Sequence, residues 1–281
     1  MIKKRPWIIN VVLFLVTSFT TTAAGGLYAN DSVDSWLWFL LRGTTFSGPL
    51  MLILVVHEMG HYLTGRRHQL EVTPPYFIPA IPPLGTFGAF IKIRSLIPNN
   101  RVLMAVGASG PIAGAAVAIP LLVVGLLFSD IRPSSGPAEG VSLGSSIILE
   151  LLCYLRFGQF SLDAEVMLHP TAIAAWFGLF VTAMNLLPIG QLDGGHVMYA
   201  LFGPGRARVV GLIAYGCLIL LGVFFWVGWL VFGLLVLFLG LRHPPPLDPY
   251  TPLDQRGRLL GWIAVALFVL TFIPVPIRFP D

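Results

Sequence analysis

Charge is scarce in this sequence. Lys, Arg, Asp and Glu make up 11% of its 281 residues, against about 25% in an average soluble domain. That is too little to cover a water-facing surface, so an ordinary soluble domain is excluded. Intrinsic disorder is excluded as well, because 56% of the residues are hydrophobic and the mean hydropathy is +0.83. Cysteine is nearly absent. Cys153 and Cys217 each sit in an apolar stretch, form neither a disulfide framework nor a CxxC knuckle, and read as packing residues. A net charge of +4 spread over short loops speaks for membrane topology rather than a nucleic-acid partner. Apolar runs are abundant, with 30 Gly and 23 Pro interleaved among them. The class is an all-α polytopic protein of the lipid bilayer.

A hydrocarbon core about 30 Å thick needs about 20 apolar residues at 1.5 Å each. Reading between charges gives Trp7–Tyr28, Phe46–Tyr62, Val102–Phe128, Pro170–Pro188, Val209–Leu241 and Leu259–Pro274. The fifth run would be about 50 Å long as one helix, so it is expected to divide near Gly222–Gly228, for about seven transmembrane helices. Basic residues then orient the chain. With Lys3, Lys4 and Arg5 cytoplasmic, Arg66, Arg67, Lys92, Arg94, Arg101, Arg206, Arg208, Arg242, Arg256 and Arg258 fall on the same side. Only Arg42, Arg132, Arg156 and Arg278 fall outside. This is the pattern of a multi-pass protein of the cell's inner membrane with a cytoplasmic N-terminus. The first span also has a signal-peptide look, with small residues at Thr22–Gly26, but its charge-free run reaches Asn30, which fits a retained anchor.

Three segments do not read as spans. Residues 73–99 carry Pro74, Pro75, Pro79, Pro82, Pro83 and Pro98 around the apolar strip Thr86–Ile93. Such backbone is tolerated at membrane depth only when buried in protein or lining a cavity, which predicts a re-entrant hairpin with strand character. Ser142–Phe160 is amphipathic and suits the outer surface. His243–Arg258 is Pro-rich and should be extended. Residues 1–281 thus form a single integral membrane domain, with a motif core at about 46–200 and C-terminal helices at 209–275.

The chemistry concentrates where the second span ends, in His57-Glu58-Met59-Gly60-His61. A charge this deep costs about 2.5–3.5 kcal/mol on insertion scales, so three ionisable groups in five residues require a compensating interaction. Residues i and i+4 lie about 40° apart around a helix, so both imidazoles face one way. They can share one Zn²⁺, with the intervening Glu58 as general base. The bland alternative is a pair of polar packing histidines beside a structural Glu. A catalytic zinc usually has a third protein ligand. Pro188 and Gly190 break the fourth span and leave Asp193 on unwound backbone at its inner edge, at a depth compatible with His57 and His61. Asp193 is the expected third ligand, the alternative being a turn aspartate ahead of glycine. Asp248 and Asp254, in a charged loop, are poorer ligands.

His57-Glu-Met-Gly-His61 followed by Asn185-Leu-Leu-Pro and Leu192-Asp193-Gly194 resembles the site-2 protease family of intramembrane zinc metalloproteases. The resemblance covers about Phe46–Ala200. It implies one zinc per chain on His57, His61 and Asp193, Glu58 as general base, and Asn185 as a catalytic residue assisting the transition state. A purely structural Asn185 would instead cap freed backbone. Gly107–Gly114 resembles the small-residue helix between the motifs, where close packing is expected. The implied activity is hydrolysis of peptide bonds in or near transmembrane segments, on single-span membrane proteins, as in regulated intramembrane proteolysis. Two other readings use the same residues: a metal transporter with a buried His/Asp transit site, and a catalytically silent scaffold of the same fold.

The remaining histidines carry less weight. His196 suits packing more than support of a ligand, His68 and His243 should be solvated beside arginines, and His169 lies at the far edge. Trp36, Trp38, Trp226 and Trp229 fit an interfacial belt.

Overall fold

Among the described residues eight helices carry most of the structure, α1 (Trp7–Tyr28), α2 (Trp36–Arg67), α3 (Asn100–Leu127), α4 (Ile147–Phe157), α5 (Pro170–Asn185), α6 (Asp193–Phe224), α7 (Gly228–Leu239) and α8 (Gln255–Thr271). The structure is a computed structural model that describes residues 7–28, 35–81, 84–133, 142–158 and 164–278. Lys3, Lys4, Arg5, Asn30, Pro82, Pro83 and Phe160, used above, lie outside the described residues. Four helices, α1, α2, α3 and α6, are long and apolar enough to cross a membrane, and α5 and α7 are shorter apolar helices. The break between α6 and α7 falls at residues 225–227, so Val209–Leu241 is indeed two helices.

The chain forms two compact units, and α3 and α5 contribute residues to both. The first unit comprises residues 1–95, 113–130 and 168–179. Here α1 and α2 pack closely because their facing residues are small. A Cβ on Gly43 would lie 2.1 Å from the Thr22 carbonyl oxygen and one on Gly25 would lie 2.4 Å from that of Gly43. The Thr22 and Ser47 hydroxyls bond across the contact at 2.8 Å. The small residues at Thr22–Gly26 are therefore part of a helix-packing face.

Helix α2 is ten residues longer at its start than the span expected from Phe46. Ser35 caps it by accepting from the Trp38 N–H, and the lone Arg42 does not interrupt it. Pro49 sits inside this helix and cannot bond the carbonyl four residues back, that of Thr45. The Thr171 hydroxyl donates to that carbonyl at 2.9 Å.

Strands β1 (Tyr76–Pro79) and β2 (Thr86–Phe90) form an antiparallel hairpin, with Tyr76 opposite Phe90 and Phe77 opposite Ala89. The prolines around it deprive the backbone of ladder partners, and α1 supplies replacements. Asn10, buried in the first half of α1, donates to the Pro74 and Pro75 carbonyls at 3.0 and 2.8 Å. Phe14 meets Phe77 edge-on.

The second unit comprises residues 96–112, 131–167 and 180–281. Its core joins Leu103, Met104 and Ala108 of α3 to Leu186, Val197, Tyr199 and Ala200, with Ala264 from α8. Short pairings close its edges: β3 (Asp130–Pro133) with β5 (Ala164–Met167), and β4 (Ser142–Leu143) antiparallel to β6 (Ile277–Arg278). The amphipathic segment is realised as α4, capped by Ser146 and packed on α8. Trp229 departs from the interfacial belt. It is fully buried, ringed by Phe180, Trp226 and Phe272, and donates from Nε1 to the Pro274 carbonyl at 2.7 Å. Cys153 is buried as expected, whereas Cys217 lies exposed on α6.

The Pro-rich stretch after α7 is an extended strap laid on the start of α3. Leu247 and Asp248 donate their N–H groups to the Ile97 and Pro98 carbonyls. Asn100 and Arg101 donate to the Pro249 and Pro252 carbonyls at 2.7 and 2.9 Å.

Candidate metal centre

Helix α2 carries His57, Glu58 and His61, all buried, at 3%, 4% and 6% exposure. The one-turn spacing brings the two imidazoles together as the sequence predicts: their Nε2 atoms are 3.3 Å apart, with the rings at 64°. Two nitrogens bound to a tetrahedral ion at 2.0–2.1 Å would be separated by about 3.3–3.4 Å, so this pair is already spaced as a chelate. The third helix makes room behind it. A Cβ on Gly114 would approach His57 Nδ1 at 3.0 Å and His57 Cβ at 3.1 Å, so only glycine lets α3 lie this close without displacing the ring. That is the close packing expected of the small-residue segment.

Asn185 ends α5 and Asp193 begins α6. Between them the chain reverses in a tight turn, with Leu186 still bonded to Thr182 and Leu192 bonded to Ile189. A Cβ on Gly194 would fall 2.0 Å from the Leu186 carbonyl oxygen, and one on Gly195 would fall 2.2 Å from that of Gly190. The two glycines after Asp193 therefore let the new helix start against the carbonyls of the turn. Asp193 is the first helical residue rather than part of unwound backbone, a shift of one residue at a helix boundary. Gly107 does for α6 what Gly114 does for α2: its missing Cβ would meet His196 Cβ at 2.7 Å and the Asp193 carbonyl oxygen at 3.3 Å.

His57 and His61 belong to the first unit and Asp193 opens α6 in the second; these are the residues that the sequence assigns to the metal. The donor set, two imidazoles and a carboxylate, suits one zinc ion. Asp248 and Asp254 have other tasks. The Asp248 carboxylate accepts from the Thr251 hydroxyl and from the Tyr250 and Thr251 N–H groups, and these bonds, the Thr251 hydroxyl's first, hold its pKa below the usual carboxylate range. Asp254 caps α8 by accepting from Gly257 N–H.

The sequence reading missed one pairing. His243 is not solvated. Its Nε2 lies 2.5 Å from Nδ1 of His196, and its ring tilts over Tyr199 at 4.6 Å. Burial pushes its pKa down. Nothing in the local sequence separates this histidine from His68, because 47 residues divide it from its partner. His169 sits where expected, ahead of α5, its Nδ1 accepting from Thr171 N–H at 3.2 Å.

Comparison with known proteins identifies the family. Residues 45–228 match peptidase family M50, a span that holds His57, Glu58, His61, Asn185 and Asp193. Among curated proteins the chain is similar to "Probable zinc metalloprotease EGY1, chloroplastic" of Arabidopsis thaliana, 36% identical over 79% of this chain and 41% of that protein. It is similar to the rice (Oryza sativa subsp. japonica) protein of the same name, 31% identical over 96% of this chain and 50% of that one. "Probable zinc metalloprotease EGY2, chloroplastic" of Arabidopsis thaliana is 30% identical over 81% and 41%. The chain therefore spans half or less of the length of these relatives. No solved structure matches it. With two thirds of its length and both motifs inside the match, the chain belongs to peptidase family M50, the site-2 protease family of membrane metalloproteases.

Proposed function

We propose that this protein is an intramembrane zinc metalloendopeptidase that hydrolyses peptide bonds in or near the transmembrane segments of single-span membrane proteins. The observation that carries this reading is the imidazole pair on α2, with Nε2 atoms 3.3 Å apart and the buried Glu58 between the two histidines in the chain. In this assignment His57, His61 and Asp193 hold one Zn²⁺, which when bound supplies Lewis acidity to the scissile carbonyl and lowers the pKa of a water molecule. Glu58 takes the proton from the attacking water and returns it to the leaving amine. Its burial in an apolar helix is consistent with a base kept out of bulk solvent. Asn185 donates from its side-chain amide to the oxygen that becomes an anion in the transition state.

A substrate helix hides its carbonyls in i to i−4 bonds and must unwind before it can react. Strand β2 offers the unwound segment a partner. Among the described residues it pairs with β1 alone, and Phe87 and Phe90 stand exposed along it at 75% and 48%. An extended peptide added at that edge would gain main-chain hydrogen bonds to replace those lost on unwinding. In the same proposal residues 1–281 act as one protease domain of about seven spans, with the 73–99 hairpin re-entrant. The N-terminus faces the cytoplasm across the inner membrane, the basic side that also carries Arg66, Arg67, Arg206, Arg208 and Arg242.

Reconstitution in liposomes with a library of single-span substrates tests the reading. Glu58→Gln should keep its zinc and lose cleavage, whereas His57→Ala should lose both. Cleavage by Glu58→Gln at near wild-type rate would show the mechanism to be wrong, and the same zinc content with no cleavage by wild type on any substrate would favour a transporter or scaffold.

A further inference from the structure

The second unit contains a cavity of about 150 Å³ that includes none of the metal-centre or catalytic residues. Arg208, Arg242, His243, Tyr199, Pro204 and Gly195 are among its lining residues, and none of the residues lining it is acidic. Neither arginine makes an ion pair or a side-chain hydrogen bond with another described residue. Two fixed positive charges thus border one small concavity with no counter-charge. Helix α6 adds to this. It breaks at Gly203, where φ is +77°, and restarts at Pro204, so the positive end of its second half borders the same space.

The surroundings narrow the choice of ligand. Immediately after Arg208, α6 presents Val209, Leu212 and Ile213 at 57%, 50% and 61% exposure, and immediately before Arg242, α7 presents Leu237, Phe238 and Leu239 at 51%, 83% and 50%. On both helices an exposed apolar stretch ends in an arginine at the cavity. A polar group held there would have a hydrocarbon track leading away from it along each helix. The volume is about five times the ~30 Å³ a water occupies in the liquid. That accommodates a tetrahedral phosphate, and it lies below the ~300 Å³ at which drug-sized ligands begin. Guanidinium forks match phosphate oxygens two at a time.

We infer that this cavity binds a phosphate group, that of an anionic phospholipid whose acyl chains lie along α6 and α7. Arg208 and Arg242 neutralise the phosphate, and the Tyr199–His243 stack forms the wall behind it.

The test uses the full chain in phosphatidylcholine nanodiscs doped with phosphatidylglycerol, with retained lipid counted by native mass spectrometry. Wild type should retain one phosphatidylglycerol in preference to phosphatidylcholine. Arg208→Gln/Arg242→Gln should lower that preference about tenfold or more, as expected for loss of hydrogen bonds to a charged group. Arg256→Gln/Arg258→Gln removes the same charge from exposed positions outside the cavity and should leave the preference unchanged. Arg242→Lys, which keeps the charge without the fork, should fall between. Glycerol phosphate in solution distinguishes the source: arginine-dependent binding of it without the lipid would keep the phosphate site and remove the acyl track. No arginine-dependent binding of either probe, or an equal loss in the Arg256/Arg258 variant, overturns the proposal. Matching thermal unfolding of all variants shows that a loss is not misfolding.

Discussion

Replacing Gly114 by alanine tests the idea that α3 sets the position of a zinc ligand. The added methyl would lie 3.0 Å from His57 Nδ1 and 3.1 Å from its Cβ, against about 3.5–4.0 Å for relaxed contacts. Either the imidazole or the helix must therefore give by a few tenths of an ångström. Metal–ligand distances tolerate about 0.2 Å and catalytic constellations about 0.5 Å, so the displacement is large enough to be felt at the ion. Zinc affinity should fall about 10–100-fold, the range for disturbing groups behind a metal-bound histidine. Stability of the metal-free fold should fall by about 0–2 kcal/mol. Overpacking costs about 1–3 kcal/mol, and exchanging glycine for alanine inside a helix returns up to about 1 kcal/mol. Zinc competition with a graded chelator gives the affinity, and thermal unfolding of the metal-stripped protein gives the stability. Gly48→Ala, on α2 with nothing within 4 Å of the new methyl, is the control and should leave zinc binding unaltered. Wild-type zinc affinity in Gly114→Ala, or an equal loss in Gly48→Ala, would refute the reasoning.

Asn185→Ala should lower kcat and kcat/KM together by about 10²–10³ while zinc content and unfolding temperature hold. Asn185→Asp should do no better, and loss of zinc or stability in step with activity would mark a structural residue instead. Thr171→Val removes the donor that serves the Thr45 carbonyl freed by Pro49 and should destabilise by about 1 kcal/mol. Adding Pro49→Ala restores the helical bond and should recover part of that loss, and strictly additive effects in unfolding measurements would show the two residues to be uncoupled. A cysteine at Gly205, which has open space around it, should label from the cytoplasmic side in sealed vesicles. Labelling only from the opposite side would reverse the proposed topology.

Helix α1 has the bounds read from sequence because both of its ends coincide with a change from apolar to polar composition. Helix α2 does not, since Arg42 resembled a boundary, although Ser35 was available as a cap signal three residues before Trp38. The His57–His61 face was legible because it depends only on helical geometry. Asp193 was legible as a candidate ligand because depth and helix-breaking residues are also local. The reasons for Gly107, Gly114, Gly194 and Gly195 were only partly visible: sequence indicates that small residues are wanted there, but not which carbonyl or imidazole would otherwise collide. Trp229 and His243 were misplaced for a common reason. Each resembles its exposed counterparts in composition, and each is buried by partners that the chain brings from far away: Pro274 and Phe272 for one, His196 and Tyr199 for the other.

Between Leu247 and Pro252 the strap meets the start of α3 through its own main chain. The carbonyls of Pro249 and Pro252 accept bonds, the N–H groups of Leu247 and Asp248 donate them, and the side chains that complete the contact, Asn100 and Arg101, belong to α3. Main-chain atoms are the same in every residue. The stretch from Leu247 to Pro252 can therefore drift in sequence across descendants of this chain without losing its bonds to α3, provided it stays extended. The record of the contact would be written in its partner: two unchanging polar residues at the start of an apolar helix, facing a segment whose own letters have become unrecognisable.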